Sequence, residues 1–304
     1  MQQIFQKNGI TWIKINQPSP EDIEYVKTAF RFHPIVIKSI VSPTFHPAIE
    51  SYKDHLFLIL HFPIIYQNQK TNVAVEIDFL ITKKLLITIT YKNHPVLDEF
   101  FNEISRDKKL QRQFINNHTG KLVYGIIDGL MSSLINDLDF LEQEVTRIED
   151  KIFEGQHATI VEEISQARRD ILDFKRIASP LQTVLKLLPD IAAKFYDKEI
   201  KPYFTDLLTA ESKIRHLIEN HKETIESLNS TNESLLSNKV SKIITLLTIF
   251  SAVILPLNFL ASIWGMNHRF LPFRDGPNDF WIVAGVMAVI AFILILIFRR
   301  QKWL

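Results

Sequence analysis

Two side-chain amides stand where amides are costly. Asn258 lies inside an uncharged run, residues 243–264, "IITLLTIFSAVILPLNFLASIW", and Asn267 follows its end in "SIWGMNHRF". In hydrocarbon an amide needs partners or water, and Pro256 beside Asn258 frees the carbonyl one turn earlier. On a helical wheel at about 100° per residue, Ser241, Thr245, Thr248, Ser251, Asn258 and Ser262 fall within an arc of about 140°. The opposite side is almost all Ile, Leu, Phe and Val. Such a stripe serves either as glue between helices or as the wall of a water-filled path. The residues alone leave both open.

Other chemistries lack their residues. The absence of cysteine excludes a disulfide framework, a thiolate metal site and a cysteine nucleophile. There is no nucleophile with a base, no HExxH and no Gly-rich phosphate loop, so no enzyme and no organic cofactor are expected. His216 and His221 are five apart, and the 10 histidines form no ligand pair at i, i+4. Lys plus Arg (35) and Asp plus Glu (34) nearly cancel, which leaves no global field to recruit nucleic acid.

The elements that position the amides begin with two spans. At about 1.5 Å per residue, 243–264 makes a helix about 33 Å long, enough for a bilayer core of about 30 Å. A second uncharged run, 280–298, pairs with it as a hairpin. Lys239 and Lys242 precede the first span and Arg299, Arg300 and Lys302 follow the second. The positive-inside rule then puts both chain ends in the cytoplasm, with Arg269, Arg274, Asp275 and Asp279 in an outer loop. The N-terminus lacks the pattern of a secretory signal, so the first domain is expected in the cytoplasm.

Upstream, an α+β fold is expected. Strands are predicted at 10–15, 55–66, 72–82 and 84–91, with a helix opening at Ser19 and Pro20. After Asn93 the pattern is helical. Ile127, Leu130, Leu134, Leu138, Leu141, Val145, Ile148 and Ile152 mark one long helix. Thr159 and Glu162 are expected to form a capping box for a second, ending near Pro189. The third carries Leu207, Ile214, Ile218, Ile225, Leu228 and Leu235 on one seam, with Glu211, His221 and Asn232 in polar slots of the same frame. Between Pro202 and Pro256 there is neither Pro nor Gly, so this helix should run on as the first span. A seam that long needs neighbours, which argues for an oligomer. The expected divisions are an α/β domain (1–117), a helical stalk (118–242), span one (243–264), an outer loop (265–279), span two (280–298) and a basic tail (299–304).

Gly265-Met266-Asn267 after "LPLNFLASIW", ahead of a second span and a basic "RRQKWL" end, resembles the CorA family of magnesium and cobalt transport proteins. "HPIVIKSIVSPTFHPAIESYKDHLFLIL" and "FLITKKLLITI" extend the likeness over nearly the whole chain. The resemblance implies a homopentamer in the plasma membrane whose first spans line a pore, admitting magnesium passively and closing when cytoplasmic magnesium rises. It implies a neutral ring of Asn267 oxygens holding the ion through its hydration waters, a sharp turn at Gly265, and Met266 packed beneath the loop. Counting back from the motif, it places Ser241, Ile244, Leu247, Ser251, Leu255 and Asn258 along the pore, the apolar three as a constriction that excludes water. Asp206 in "YFTD" matches an aspartate that helps hold regulatory magnesium between subunits; its facing residue falls near "YQNQK", which has no carboxylate. Asn258 replaces a threonine, and "LPFR" stands where the family often has "MPEL". Zinc, cobalt or nickel transport on the same fold is the nearest alternative, and a non-conducting membrane-anchored scaffold or sensor is the alternative of another class.

Overall fold

A computed structural model describes residues 2–64, 73–155, 159–266 and 278–301. Asn8 and Gly9 make its first turn, with φ of 52° and 73°. Positive φ at both central residues is the two-residue hairpin geometry whose twist matches the flanking strands. It joins β1 (Gln2–Lys7) to β2 (Ile10–Asn16). With β3 (Ala48–Ser51), β4 (Leu56–Ile64), β5 (Val73–Ile81) and β6 (Leu85–Thr90) they form one six-stranded sheet in the order β1-β2-β6-β5-β4-β3. Only the β2–β6 pair is parallel, placing Ile13 opposite Ile87.

Helices cover both faces. On one side, α1 (Pro20–Ala29) and α2 (Pro34–Ser39) bury Val26, Val36 and Ile40 against Ile13, Ile15, Phe57 and Leu80. Ser19 caps α1 in a capping box closed by Asp22. On the other side stand α3 (Pro95–Arg106) and α4 (Lys108–Phe114). There Trp12 packs edge-on to Phe101 at 4.7 Å and donates its indole N–H to Thr88 Oγ1 at 3.0 Å. Lys14 shares that face and is buried, with its ammonium paired to Asp98 of α3. The period-two reading of residues 10–15 therefore holds for direction, while burial falls on both faces.

Helix α5 (Gly120–Glu154) buries all eight residues of its predicted seam. Two expectations about the next helices are corrected. Thr159 makes no capping bond to the backbone; its hydroxyl donates to Glu163, which also takes Lys151 at 2.8 Å. Pro189 does not end a helix: α6 (Ile160–Ala178) stops at Ser179–Pro180, and α7 (Leu181–Phe195) continues through Pro189. Pro180 sits before the first turn of α7, where its missing N–H costs nothing, and buried Leu185, Leu188 and Ala192 hold the helix together across Pro189.

Helix α8 runs unbroken from Lys201 to Gly265, and α9 covers Asp279–Arg300. Both are long and apolar enough to cross a membrane. The chain divides into two compact units, Met1–Asn229 and Ser230–Leu304. In the first, Leu207, Ile214, Ile218, Ile225 and Leu228 are buried within the chain itself, and so are Glu211 and His221. That part of the seam finds its cover without another copy. Asn232 is buried as well, while Leu235 is half-covered.

Candidate functional site

The apolar half of α8 has two unlike sides. Ile249 is the one buried residue from 241 to 266, and Thr245, Ala252, Pro256, Leu260 and Ile263 near it are half-covered. Ser241, Ile244, Leu247, Ser251, Leu255 and Asn258 are all exposed, Leu255 to 70%. At about 100° per residue the two groups centre roughly 125° apart around the helix. The six residues placed along a path lie within a broader open side that also includes Ile243, Leu246, Phe250, Ile254 and Phe259.

Within the polar stripe the threonines are satisfied locally. Thr245 donates its hydroxyl to the Ser241 carbonyl at 2.9 Å and Thr248 to that of Ile244 at 2.8 Å. Back-bonding of this kind hides a hydroxyl inside hydrocarbon. Asn258 carries the larger polar group and lies on the open face.

Gly265 is the last residue of α8, and Met266 follows exposed, its N–H donating to the Ile263 carbonyl at 3.2 Å. Among the described residues nothing lies within 4 Å of where a Cβ at Gly265 would stand. Asn267, His268, Arg269, Arg274 and Asp275 lie outside the described residues, as does "YQNQK".

Asp206 is placed in the first unit, distant in sequence from the spans. It accepts a hydrogen bond from the Tyr124 hydroxyl at 2.9 Å, which links α5 to α8. Asp128, one turn beyond Tyr124, has its carboxyl pushed up by burial and then by the charge of Asp206. Lys201, beside Asp206 along a shallow cleft, is engaged with Asp190 at 2.7 Å. Asp128 was not singled out from the sequence; the available signal was the Tyr-x-x-x-Asp spacing on an otherwise apolar stretch of α5. Among the described residues no three His, Asp or Glu side chains converge as a metal site.

An α/β unit, a helix of 65 residues and a second apolar helix at the C-terminus have the length and composition of a two-span membrane protein. The family model described as "CorA-like Mg2+ transporter protein" matches residues 7–300. The chain belongs to that family, whose members are ion transporters and not enzymes. It is 26% identical over 295 residues to the cobalt/magnesium transport protein CorA of Thermotoga maritima, covering 97% of this chain and 83% of that one. Two solved structures share its fold. The CorA magnesium transporter of Methanocaldococcus jannaschii superposes with a TM-score of 0.84 at 24% identity, covering 99% of this chain and 93% of the other. Full-length CmaX gives 0.78 at 14% identity, covering 97% and 89%.

Proposed function

We propose that this chain conducts divalent cations, magnesium first, passively through a homopentameric pore lined by the open face of α8. The observation that carries the proposal is that face: six residues from Ser241 to Asn258 exposed together and combining Ser and Asn with Ile and Leu, away from the covered side marked by Ile249. Five copies around an axis would cover it, with Ile244, Leu247 and Leu255 forming a constriction that holds back water and Ser251 and Asn258 lining wetter levels. Lipid would surround the other sides of α8 and α9.

The Gly265-Met266-Asn267 motif stands at the mouth. Five Asn267 oxygens suit magnesium, which gives up its water reluctantly and is held through that water by neutral acceptors. Among the described residues no neighbour in its own chain requires a missing side chain at Gly265, which supports close approach by another copy. The basic flanks at Lys239, Lys242, Arg299 and Arg300 favour cytoplasmic chain ends. The divisions at 1–117, 118–242, 243–264, 265–279, 280–298 and 299–304 follow from the same reading.

Closure by cytoplasmic magnesium would use Asp206 and its neighbour Asp128. Their mutual repulsion is relieved by a cation, and the rest of the ligand set comes from a neighbouring copy. The relatives named for cobalt and magnesium keep cobalt as an alternative cargo, with zinc and nickel beside it. Replacing Asn267 by Ala tests the motif. Magnesium uptake in a transporter-deficient strain should fall to background, and retained uptake contradicts the amide ring.

A further inference from the structure

Three segments of the first unit bring four lysines to one cleft. Lys53 stands between β3 and β4, Lys83 and Lys84 turn β5 into β6, and Lys194 lies in the last turn of α7. With Tyr52, Asp54 and Phe195 they line an open cleft of about 610 Å3. That is within the range of small-molecule sites, roughly 300–1,000 Å3.

The backbone under the lysines is fixed. Thr82 donates its N–H to the Leu85 carbonyl at 2.8 Å, while its hydroxyl oxygen accepts from the Leu85 N–H at 2.9 Å and the Lys84 N–H at 3.3 Å. Thr119 fastens the same turn from α5, its N–H to the Lys83 carbonyl at 3.1 Å and its hydroxyl to that of Thr82 at 2.6 Å. The Tyr196 hydroxyl reaches Thr119 Oγ1 at 2.7 Å and holds the end of α7 to that point. On the remaining wall Tyr52 donates its N–H to the His55 carbonyl at 2.9 Å.

Four ammonium groups face one nearby lining carboxylate, so the cleft keeps a positive excess. All four lysines are exposed, and Lys84 reaches only a backbone carbonyl, that of Asn117, at 2.8 Å. Two acids partly offset these charges: Asp54 lines the same cleft, bonded to His55 at 2.6 Å and held below the usual carboxylate range with Lys53 beside it, and Asp190, paired with Lys201 at 2.7 Å, also feels Lys194. Like charges gathered on a rigid frame repel one another, and a multivalent anion removes that repulsion. Ammonium groups on flexible stems meet phosphate oxygens as point charges. A chain of linked phosphates brings several negative charges to several ammonium groups at once, and half-buried Phe195 adds an aromatic surface on which a base can stack.

We propose that this cleft binds a soluble oligophosphate of the nucleoside triphosphate class through Lys53, Lys83, Lys84 and Lys194. The test is calorimetric titration of the full chain in detergent micelles with ATP, inorganic tripolyphosphate and orthophosphate. Saturable ATP binding is expected, weakened at least about tenfold by K83Q/K194Q and unchanged by Lys186→Gln, an exposed lysine further back on α7. Tripolyphosphate binding as tightly as ATP supports oligophosphate recognition without the base; tighter ATP binding supports recognition of the nucleotide. No saturation by ATP near about 1 mM, orthophosphate binding equal to ATP, or binding unmoved by K83Q/K194Q overturns the proposal.

Discussion

Tyr124 donates its hydroxyl to Asp206 at 2.9 Å, joining α5 to α8 beside a second carboxylate, Asp128. If this acidic pair senses magnesium, Asp206→Ala should keep the pore conducting at cytoplasmic magnesium levels that close the wild type. Tyr124→Phe leaves the carboxylate in place and should still close. Flux titrated against internal magnesium checks both, and unchanged closure in Asp206→Ala removes Asp206 from regulation.

Two glycines of α5 should respond oppositely to alanine. A Cβ at Gly125 would lie 2.5 Å from the ring of Phe114, which is itself held against Phe100 at 5.6 Å. Gly125→Ala should cost about 1–3 kcal/mol through overpacking. A Cβ at Gly129 would meet Phe100 at an ordinary 3.9 Å, so Gly129→Ala should gain about 0.5–1 kcal/mol of helix propensity. Melting points of the two variants should straddle the wild type, and shifts in the same direction would contradict this packing.

Burial pushes the Asp137 carboxyl up to about 6. The folded pKa lies above the unfolded one, so the neutral carboxyl's contribution is fully present below about pH 4 and lost as pH rises through about 6. Asp137→Asn should therefore stabilise at about pH 8, by on the order of 1–2 kcal/mol, and lose that advantage near pH 4. Melting curves across this range provide the check. An advantage independent of pH would contradict a buried, ionising Asp137.

Uncharged length made α8 and α9 legible in the sequence, and continuous apolar runs did the same for β4, β5 and β6. β1 was missed although Asn8-Gly9 announces a hairpin, because each of its faces mixes one apolar residue with two polar ones, Ile4 with Gln2 and Gln6 and Phe5 with Gln3 and Lys7, so no alternation shows. β3 is only four residues long at the sheet edge, too short for any periodicity to register. Pro189 was misread because local propensity cannot see the buried contacts that carry a helix past a proline. Five of the six stripe residues are exposed, Thr245 being half-covered, whereas the Asp128–Asp206 proximity depends on how α5 lies against α8, which no local pattern encodes.

Ion flux into proteoliposomes holding the purified full chain, with magnesium, cobalt, nickel and zinc supplied separately, tests the central claim most directly. Magnesium should enter down its gradient without an added energy source, and Asn267→Ala should abolish that entry. If none of the four ions crosses, the chain is not a cation pore.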